Sequence, residues 1–206
     1  METLDRLIDN LMDQQWVQTQ DYIPTELVHE IAEEVRSFET SGKMRTAAIG
    51  QGDDQHNNDT VRQTLIAWLD PENLTTTQQK WYDFIQTTIQ RLNETCYLSL
   101  VDFECHYAVY PPGAFYERHL DQFRGDTRRT ISFTLYLNED WNQEDGGALR
   151  LYLESGDGNE TFVDVWPNNG TFSMFLSSAL EHEVLPTQRT RYAVIGWMKT
   201  RGSRLI

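Results

Sequence analysis

The stretch TISFTLYL, residues 130–137, decides the fold class because apolar and hydroxyl-bearing side chains alternate along it. Successive residues of a strand point to opposite faces of a sheet, so this alternation predicts a strand with one apolar face packed on a core. The apolar set is Ile131, Phe133, Leu135 and Leu137, and the polar set is Thr130, Ser132, Thr134 and Tyr136. The polar face either lines the mouth of a barrel, where it offers hydroxyl groups to a ligand, or is the solvated face of an antiparallel sheet.

Six further short runs rich in β-branched and aromatic residues surround this stretch from residue 97 onward. Turn-forming sequences such as PPG, EDGG, SGDGN and PNNG separate them, and no helical periodicity intervenes. The runs are YLSLVDFECHYAVY, ALRLYLE, TFVDVW, TFSMFLS, EHEVLP and RYAVIGWM. About seven strands at this spacing predict a sandwich, jelly roll or barrel.

The first 95 residues have a different texture, with apolar residues at helical spacing in three runs. The runs are Leu4, Leu7, Ile8, Leu11 and Met12; Leu27, Val28, Ile31, Val35 and Phe38; and Trp81, Phe84, Ile85, Ile89 and Leu92. Between the second and third lies GQGDDQHNNDT, residues 50–60, which has no apolar residue and predicts an exposed loop. We interpret His56 in this loop as a solvated residue. The expectation is a single domain, 1–206, with helical support over 1–95 and a β core over 96–201.

The composition predicts a globular protein and narrows its partners. Apolar residues make up 39% of the 206, and the formal net charge is −15. Such a charge disfavours a nucleic-acid partner, although residues 189–204 carry bases and no acid and could still face an anion. The opening METLDRLIDNLMDQQW has no basic segment before its apolar residues, and no later apolar run approaches 20 residues. We therefore expect a cytoplasmic protein without a membrane partner.

A candidate metal site begins in FYERHLDQF, residues 115–123. If this stretch is a strand, His119 and Asp121 share a face and can present an imidazole and a carboxylate to one ion. His182 would complete a set of two histidines and one carboxylate, which leaves three positions of Fe(II) open. The alternatives are a surface histidine before a turn and, for His182, a hydrogen-bonded core residue.

Arg191 lies nine residues after His182, at the head of an apolar strand, with Trp197 on the same face. The planar guanidinium suits a carboxylate through two hydrogen bonds, so a small dicarboxylate would satisfy it. The alternative is an ion pair with one of the chain's 32 acidic residues.

Four motifs together resemble the Fe(II)- and 2-oxoglutarate-dependent oxygenases, and within them the prolyl hydroxylases close to the animal oxygen-sensing enzymes and their bacterial counterparts. The motifs are YPPGAFYERHLDQF, RRTISFTLYLNEDW, DGGALRLY and HEVLPTQRTRYAVIGW, and the resemblance spans residues 43–201. It implies a mainly β protein with α-helices: a double-stranded β-helix (jelly roll) buttressed by N-terminal helices.

The resemblance also implies residue roles, which we carry over position by position. The iron ligands are His119, Asp121 and His182; the far carboxylate of 2-oxoglutarate is held by Arg191 and Tyr136; Tyr110, Ser132 and Trp197 line its pocket; and Arg129 and Arg62 face the substrate. The segment 44–62 corresponds to a mobile loop that closes over a protein substrate. YPPGAFYERH is one residue shorter than in the animal enzymes, and VRQTLIAW replaces an Arg-Gly-Asp-like stretch. Both differences concern the identity of the substrate and not the chemistry of the reaction.

The implied reaction is hydroxylation of a prolyl residue in a protein, coupled to decarboxylation of 2-oxoglutarate to succinate and CO2. The resemblance implies Fe(II), 2-oxoglutarate and O2, allows for ascorbate as a reductant, and is consistent with a monomer. A translation elongation factor is a target that it suggests. Two alternatives remain: an oxygenase acting on a free amino acid or small metabolite, and a cupin-like module that binds metal or senses without turnover.

Overall fold

The computed structural model describes residues 4–47, 64–122, 127–154 and 159–201. Three helices lie where the apolar periodicity predicts them: α1 (Leu4–Gln14), α2 (Thr25–Thr40) and α3 (Thr76–Cys96). Helix α3 begins at a capping box, in which the Thr75 hydroxyl accepts from the Gln78 amide and the Gln78 side chain accepts from the Thr75 amide. None of the helices in these ranges is long and apolar enough to span a membrane.

Within the described residues, seven strands form the larger, antiparallel sheet. They are β1 (Trp16–Thr19), β2 (Arg45–Thr46), β3 (Leu65–Trp68), β4 (Leu100–Tyr110), β6 (Arg129–Tyr136), β9 (Phe172–Leu176) and β11 (Arg191–Thr200). Their spatial order is β1-β9-β6-β11-β4-β3-β2, so the longest strands lie at the centre.

Four strands of the described ranges form the smaller sheet: β5 (Tyr116–His119), β7 (Leu149–Glu154), β8 (Glu160–Val165) and β10 (His182–Val184). Their order is β5-β10-β7-β8, again antiparallel. Side chains of both sheets share one apolar cluster, in which Phe175 and Ala193 of the larger sheet join Leu151 and Val165 of the smaller. The two sheets therefore face each other, which confirms the predicted jelly roll.

The helices cover the other face of the larger sheet. Trp81 of α3 lies against Phe133 and Phe172, with ring centroids 6.2 and 6.4 Å away. The apolar residues of TISFTLYL all belong to this helix-side cluster, whereas Tyr136 belongs to the cluster between the sheets. The alternation read from residues 130–137 is therefore confirmed.

Four strands depart from the sequence-based expectation. The N-terminal third is helical support as expected, but it also contributes β1, β2 and β3 to the larger sheet. Strand β5 falls in the stretch between PPG and TISFTLYL, which is not among the seven predicted runs and is treated as a strand only conditionally. Each of these strands has four residues or fewer, and each exists because a distant strand pairs with it, as β9 pairs with β1. Local patterns cannot reveal pairing of this kind.

Gly196 marks a close approach at the centre of the larger sheet. A Cβ at this position would overlap Phe133 Cζ and lie 2.6 Å from Cys105 Cβ. We expect Gly196→Ala to lower the free energy of unfolding by about 1–3 kcal/mol, the usual cost of overpacking a core. Urea denaturation measures this loss. Adding Phe133→Leu should make the double variant less destabilised than the sum of the two, and simple additivity would refute the proposed clash.

Candidate active site

A cavity of about 580 Å³ lies between the two sheets, with walls from both. The polar residues Ser132, Thr134 and Tyr136 of β6 line it. Of the two readings of this face, the structure therefore selects the ligand-facing one. His119, Asp121 and His182 line the same cavity, and so does Arg191.

The three candidate metal ligands converge on one point. His119, the last residue of β5, is paired across the strands with His182, the first residue of β10. His119 Nε2 lies 3.4 Å from Asp121 Oδ1, and His182 Nε2 lies 3.4 Å from Asp121 Oδ2. One ligand atom from each of the three residues falls within 4.8 Å of the others. The arrangement can hold a metal ion.

The strand geometry that suggested this pair was wrong in one respect. Asp121 lies two residues beyond the end of β5, where the chain bends away, so His119 and Asp121 do not share a strand face. Their side chains converge because the bend turns the carboxylate back toward the two imidazoles.

Hydrogen bonds to backbone carbonyls set the tautomers of the two histidines. Nδ1 of His119 lies 2.7 Å from the carbonyl of Glu117, and Nδ1 of His182 lies 3.2 Å from the carbonyl of Leu180. A carbonyl only accepts, so each Nδ1 carries the proton and each Nε2 presents its lone pair to the shared point. Both imidazoles are thus arranged as metal ligands.

Burial and charge also suit a metal. Burial lowers the pKa of His182 below its ordinary value, which keeps the imidazole neutral. Burial alone would raise the pKa of Asp121, but the neighbouring His182 and His119 and the Ser132 hydroxyl outweigh it and hold that pKa low. The site therefore offers one ionised carboxylate and, at His182, a neutral imidazole.

Arg191 is the most unusual group in the cavity. It is 1% exposed, and its Nε and Nη1 have no hydrogen-bond partner within the part of the chain that the structure describes. The guanidinium carbon lies 4.9 Å from the ring centroids of both Tyr110 and Tyr136. No ion pair with Arg191 occurs among those residues, so the alternative reading of this arginine finds no support there.

Tyr136 lies beside this cation with its own hydroxyl unsatisfied. The hydroxyl is buried and has no hydrogen-bond partner in the described ranges. Burial raises the pKa of Tyr136 although the Arg191 charge opposes the shift, so the phenol stays protonated and can donate. Together, Arg191 and Tyr136 offer several donors and no acceptor charge, which is the chemistry of an anion site.

The remaining predicted residues fall on the cavity wall. Tyr110 is paired with Arg191 across β4 and β11, and Trp197 is paired with Ser132 across β11 and β6. The Ser132 hydroxyl contacts Asp121 rather than simply lining the pocket. Arg129 lies 3.8 Å from the Trp197 ring centroid and donates to Glu104 at 2.9 and 3.0 Å, which fixes it at the cavity.

Part of the predicted substrate side lies outside the described residues. These are residues 48–62 of the expected loop at 44–62, a range that includes Arg62 and His56. At the start of that loop, Arg45 and Thr46 form the edge strand β2 and line the cavity. Closure of the loop over a substrate stays a prediction.

Several cavity residues were not anticipated from the sequence, among them Trp68, Leu120 and His106. Trp68, which is 40% exposed, and Leu120 lie at its open side. His106 lies between two indoles, with ring centroids 4.7 Å from Trp68 and 5.6 Å from Trp197. The alternation within HYAVY, residues 106–110, places His106 on the same face as Tyr110 and was the available signal.

Comparisons with known proteins agree with this geometry. The family model of the 2OG-Fe(II) oxygenase superfamily matches residues 105–199. Human prolyl hydroxylase EGLN3 is 39% identical over 93 residues, 44% of this chain and 37% of that protein. The hypoxia-inducible factor prolyl hydroxylase of Caenorhabditis elegans is 36% identical over 100 residues, 47% of this chain and 13% of that protein. The chain thus matches well under half the length of these curated relatives.

Solved structures extend the similarity to nearly the whole chain. The crystal structure of a Pseudomonas putida prolyl-4-hydroxylase has a TM-score of 0.84 and 39% identity, and the match covers 97% of this chain and 100% of that one. A Trichoplax adhaerens prolyl hydroxylase in complex with a peptide fragment of the hypoxia-inducible factor oxygen degradation domain has a TM-score of 0.82 at 24% identity, covering 95% of this chain and 88% of that one. At 24% identity, the second similarity supports the fold alone.

Proposed function

Because this chain belongs to the prolyl hydroxylase family of the 2OG-Fe(II) oxygenase superfamily, we propose that it hydroxylates a prolyl residue in a protein substrate. The superfamily uses Fe(II), 2-oxoglutarate and O2. We propose that a single catalytic unit, 1–206, acts as a monomer and without nucleic acid, for which the net charge of −15 is unsuited.

A single observation carries the proposal: a buried arginine that has no counter-charge among the described residues lines the same cavity as the two-histidine-one-carboxylate set. A buried charge is costly unless it is paired. Arg191 therefore needs an anionic partner. A dicarboxylate could pair with Arg191 through one carboxylate and extend toward the two histidines with the other.

The residues present fit the expected cofactors. His119, Asp121 and His182 would hold Fe(II), since two imidazoles and a carboxylate suit this ion and leave positions open. Arg191 and Tyr136 would hold the distal carboxylate of 2-oxoglutarate through charge-assisted hydrogen bonds. When bound, the iron and its cosubstrate supply the oxidising chemistry that inserts oxygen into a C–H bond, with succinate and CO2 as the other products.

The chain's own residues position the reactants and exclude water. Tyr110 and Tyr136 flank the guanidinium with their rings and shield it from solvent. Phe175 lies edge-on to His182, with ring centroids 4.7 Å apart, which fixes the imidazole plane. Apolar side chains around the cavity lower the local dielectric constant, which strengthens the electrostatic contacts inside it.

The open side of the cavity favours a protein substrate over a free amino acid. Trp68 and Leu120 are exposed apolar side chains at this side, and they give a peptide more surface than a single amino acid could cover. The binding-module alternative leaves Arg191 unexplained, because holding a metal requires no second site for an anion. A translation elongation factor is the first protein substrate to test.

Turnover tests the proposal directly. Purified protein with Fe(II), 2-oxoglutarate and ascorbate is incubated with an elongation factor, with prolyl peptides and with free proline, and succinate and oxygen incorporation are measured. We expect a gain of one oxygen atom on a prolyl residue and none on the same peptide with alanine in place of proline. Oxidation of free proline alone would favour the small-metabolite oxygenase.

A further inference from the structure

A chain of two serine hydroxyls ends on the candidate metal carboxylate. The Ser132 hydroxyl donates to Asp121 Oδ2 at 2.7 Å, and the Ser177 hydroxyl lies 2.8 Å from that of Ser132. All three residues are buried, at 6% exposure or less. Asp121 itself lies outside β5, so no strand pairing fixes its side chain.

Proton counting gives this chain a direction. The Ser132 hydroxyl is the donor to Asp121 Oδ2, and a carboxylate that binds a metal is deprotonated and only accepts hydrogen bonds. The single hydroxyl proton of Ser132 therefore points at Asp121, and Ser177 must donate to Ser132. Ser177 is fixed in turn, because its amide donates to the Thr130 carbonyl at 3.1 Å. The order Ser177, Ser132, Asp121 is thus anchored at the end of β9.

The chain engages the two carboxylate oxygens unequally. Each oxygen faces one imidazole Nε2 at 3.4 Å, Oδ1 that of His119 and Oδ2 that of His182, but Oδ2 also accepts the hydrogen bond from Ser132. We propose that Ser132, oriented by Ser177, is a positioning residue that makes Asp121 a metal ligand through Oδ1 alone. This inference rests on the proposed function, since it concerns the same metal site.

The consequence is the number of free positions on the ion. An octahedral ion with three single-atom protein ligands keeps about three positions open. A carboxylate that binds through both oxygens removes one of them. A chelating cosubstrate and dioxygen together need all three, so the Ser132 hydrogen bond preserves the room that the proposed reaction requires.

Water counting on the Mn(II)-loaded protein tests this without turnover. Mn(II) neighbours Fe(II) in the divalent series, and its bound waters are counted from the relaxation rate of solvent protons. We expect about three waters on the wild type and about one fewer on Ser132→Ala, because the freed carboxylate can then bind through both oxygens. Ser132→Thr, which keeps the hydroxyl, should restore the wild-type count.

Three further variants complete the test. Ser132→Cys keeps the packing but is a weak donor, so it should also lose water and serves if the alanine variant does not fold. Ser177→Ala should weaken Mn(II) binding about threefold, the order expected for one hydrogen bond. Ser173→Ala is the matched control: this buried hydroxyl of β9 has no hydrogen-bond partner within the described residues, and its loss should leave the water count unchanged.

The outcomes separate this inference from the proposed function. A full water count in both Ser132→Ala and Ser132→Cys overturns the one-oxygen ligand, as does an equal loss in Ser173→Ala or a wild type that already lacks one water. If wild-type protein binds neither Mn(II) nor Fe(II), the proposed function fails and this inference with it. If it binds iron and 2-oxoglutarate while Ser132 has no effect, only this inference fails.

Discussion

Replacing Asp121 by alanine should abolish iron binding and turnover while leaving the protein folded. Among the described residues, the carboxylate is the one negative charge within 3.4 Å of both imidazole Nε2 atoms. Removing a residue that only hydrogen-bonds to a metal ligand already lowers metal affinity about 10–100-fold. Removing a ligand itself should therefore weaken Fe(II) binding more than about a hundredfold. Competition against a coloured Fe(II) chelator under anaerobic conditions measures this change.

A matched control separates this effect from a general loss of charge. Asp164 is a partly buried aspartate of β8 that accepts two hydrogen bonds from Arg150, at 2.8 and 2.9 Å. Asp164→Ala should cost some stability and leave Fe(II) affinity and turnover near wild type. Full activity in Asp121→Ala would show that the proposed triad is wrong.

Replacing Arg191 by methionine should raise the 2-oxoglutarate requirement steeply. Truncating one partner of a buried charge pair costs about 2–5 kcal/mol, which corresponds to a loss of affinity of about 30-fold to several thousandfold. The expected result is a much higher apparent KM for 2-oxoglutarate, with Fe(II) affinity little changed. Succinate formation at increasing 2-oxoglutarate concentration measures it.

The same variant should have an opposite effect on stability without ligand. Arg191 carries a buried charge without a counter-charge in the described ranges, and removing such a charge relieves its desolvation cost. We expect Arg191→Met to have a higher Tm than wild type without 2-oxoglutarate, and to gain less from its addition. A lower Tm in the absence of ligand would contradict an unpaired arginine.

Arg189 provides the control for this experiment. It lies two residues earlier, is exposed, and is already paired with Asp145 at 3.0 Å beside Trp141. Arg189→Met should leave the 2-oxoglutarate requirement unchanged. Equal effects of the two substitutions would mean that general charge, and not the Arg191 pocket, governs cosubstrate binding.

The elements that could be predicted from the sequence are those with a local pattern of apolar residues. Helices α1, α2 and α3 follow from 3.6-residue periodicity, and the two faces of β6 follow from strict alternation. Short strands such as β1 and β5 could not be predicted in the same way, because their partners β9 and β10 lie far along the chain.

The same distinction holds for the site: the identity of its residues could be predicted, but the contacts that position them could not. The resemblance and residue chemistry singled out His119, Asp121, His182 and Arg191, and the structure brings all four to one cavity. What sequence could not supply was the means of holding them. The bend after β5 and the hydroxyl of Ser132 fix Asp121, and both depend on contacts between segments that are distant in space until the sheets form.

The most direct test of the central claim is an anaerobic titration of the purified protein with Fe(II) and then 2-oxoglutarate, followed in the visible spectrum. The claim is that one cavity holds the metal at the histidines and the cosubstrate at Arg191. It predicts a weak charge-transfer band when 2-oxoglutarate chelates the bound iron, reached only at much higher 2-oxoglutarate in Arg191→Met. Iron binding without a band, or a band that Arg191→Met leaves unchanged, would contradict it.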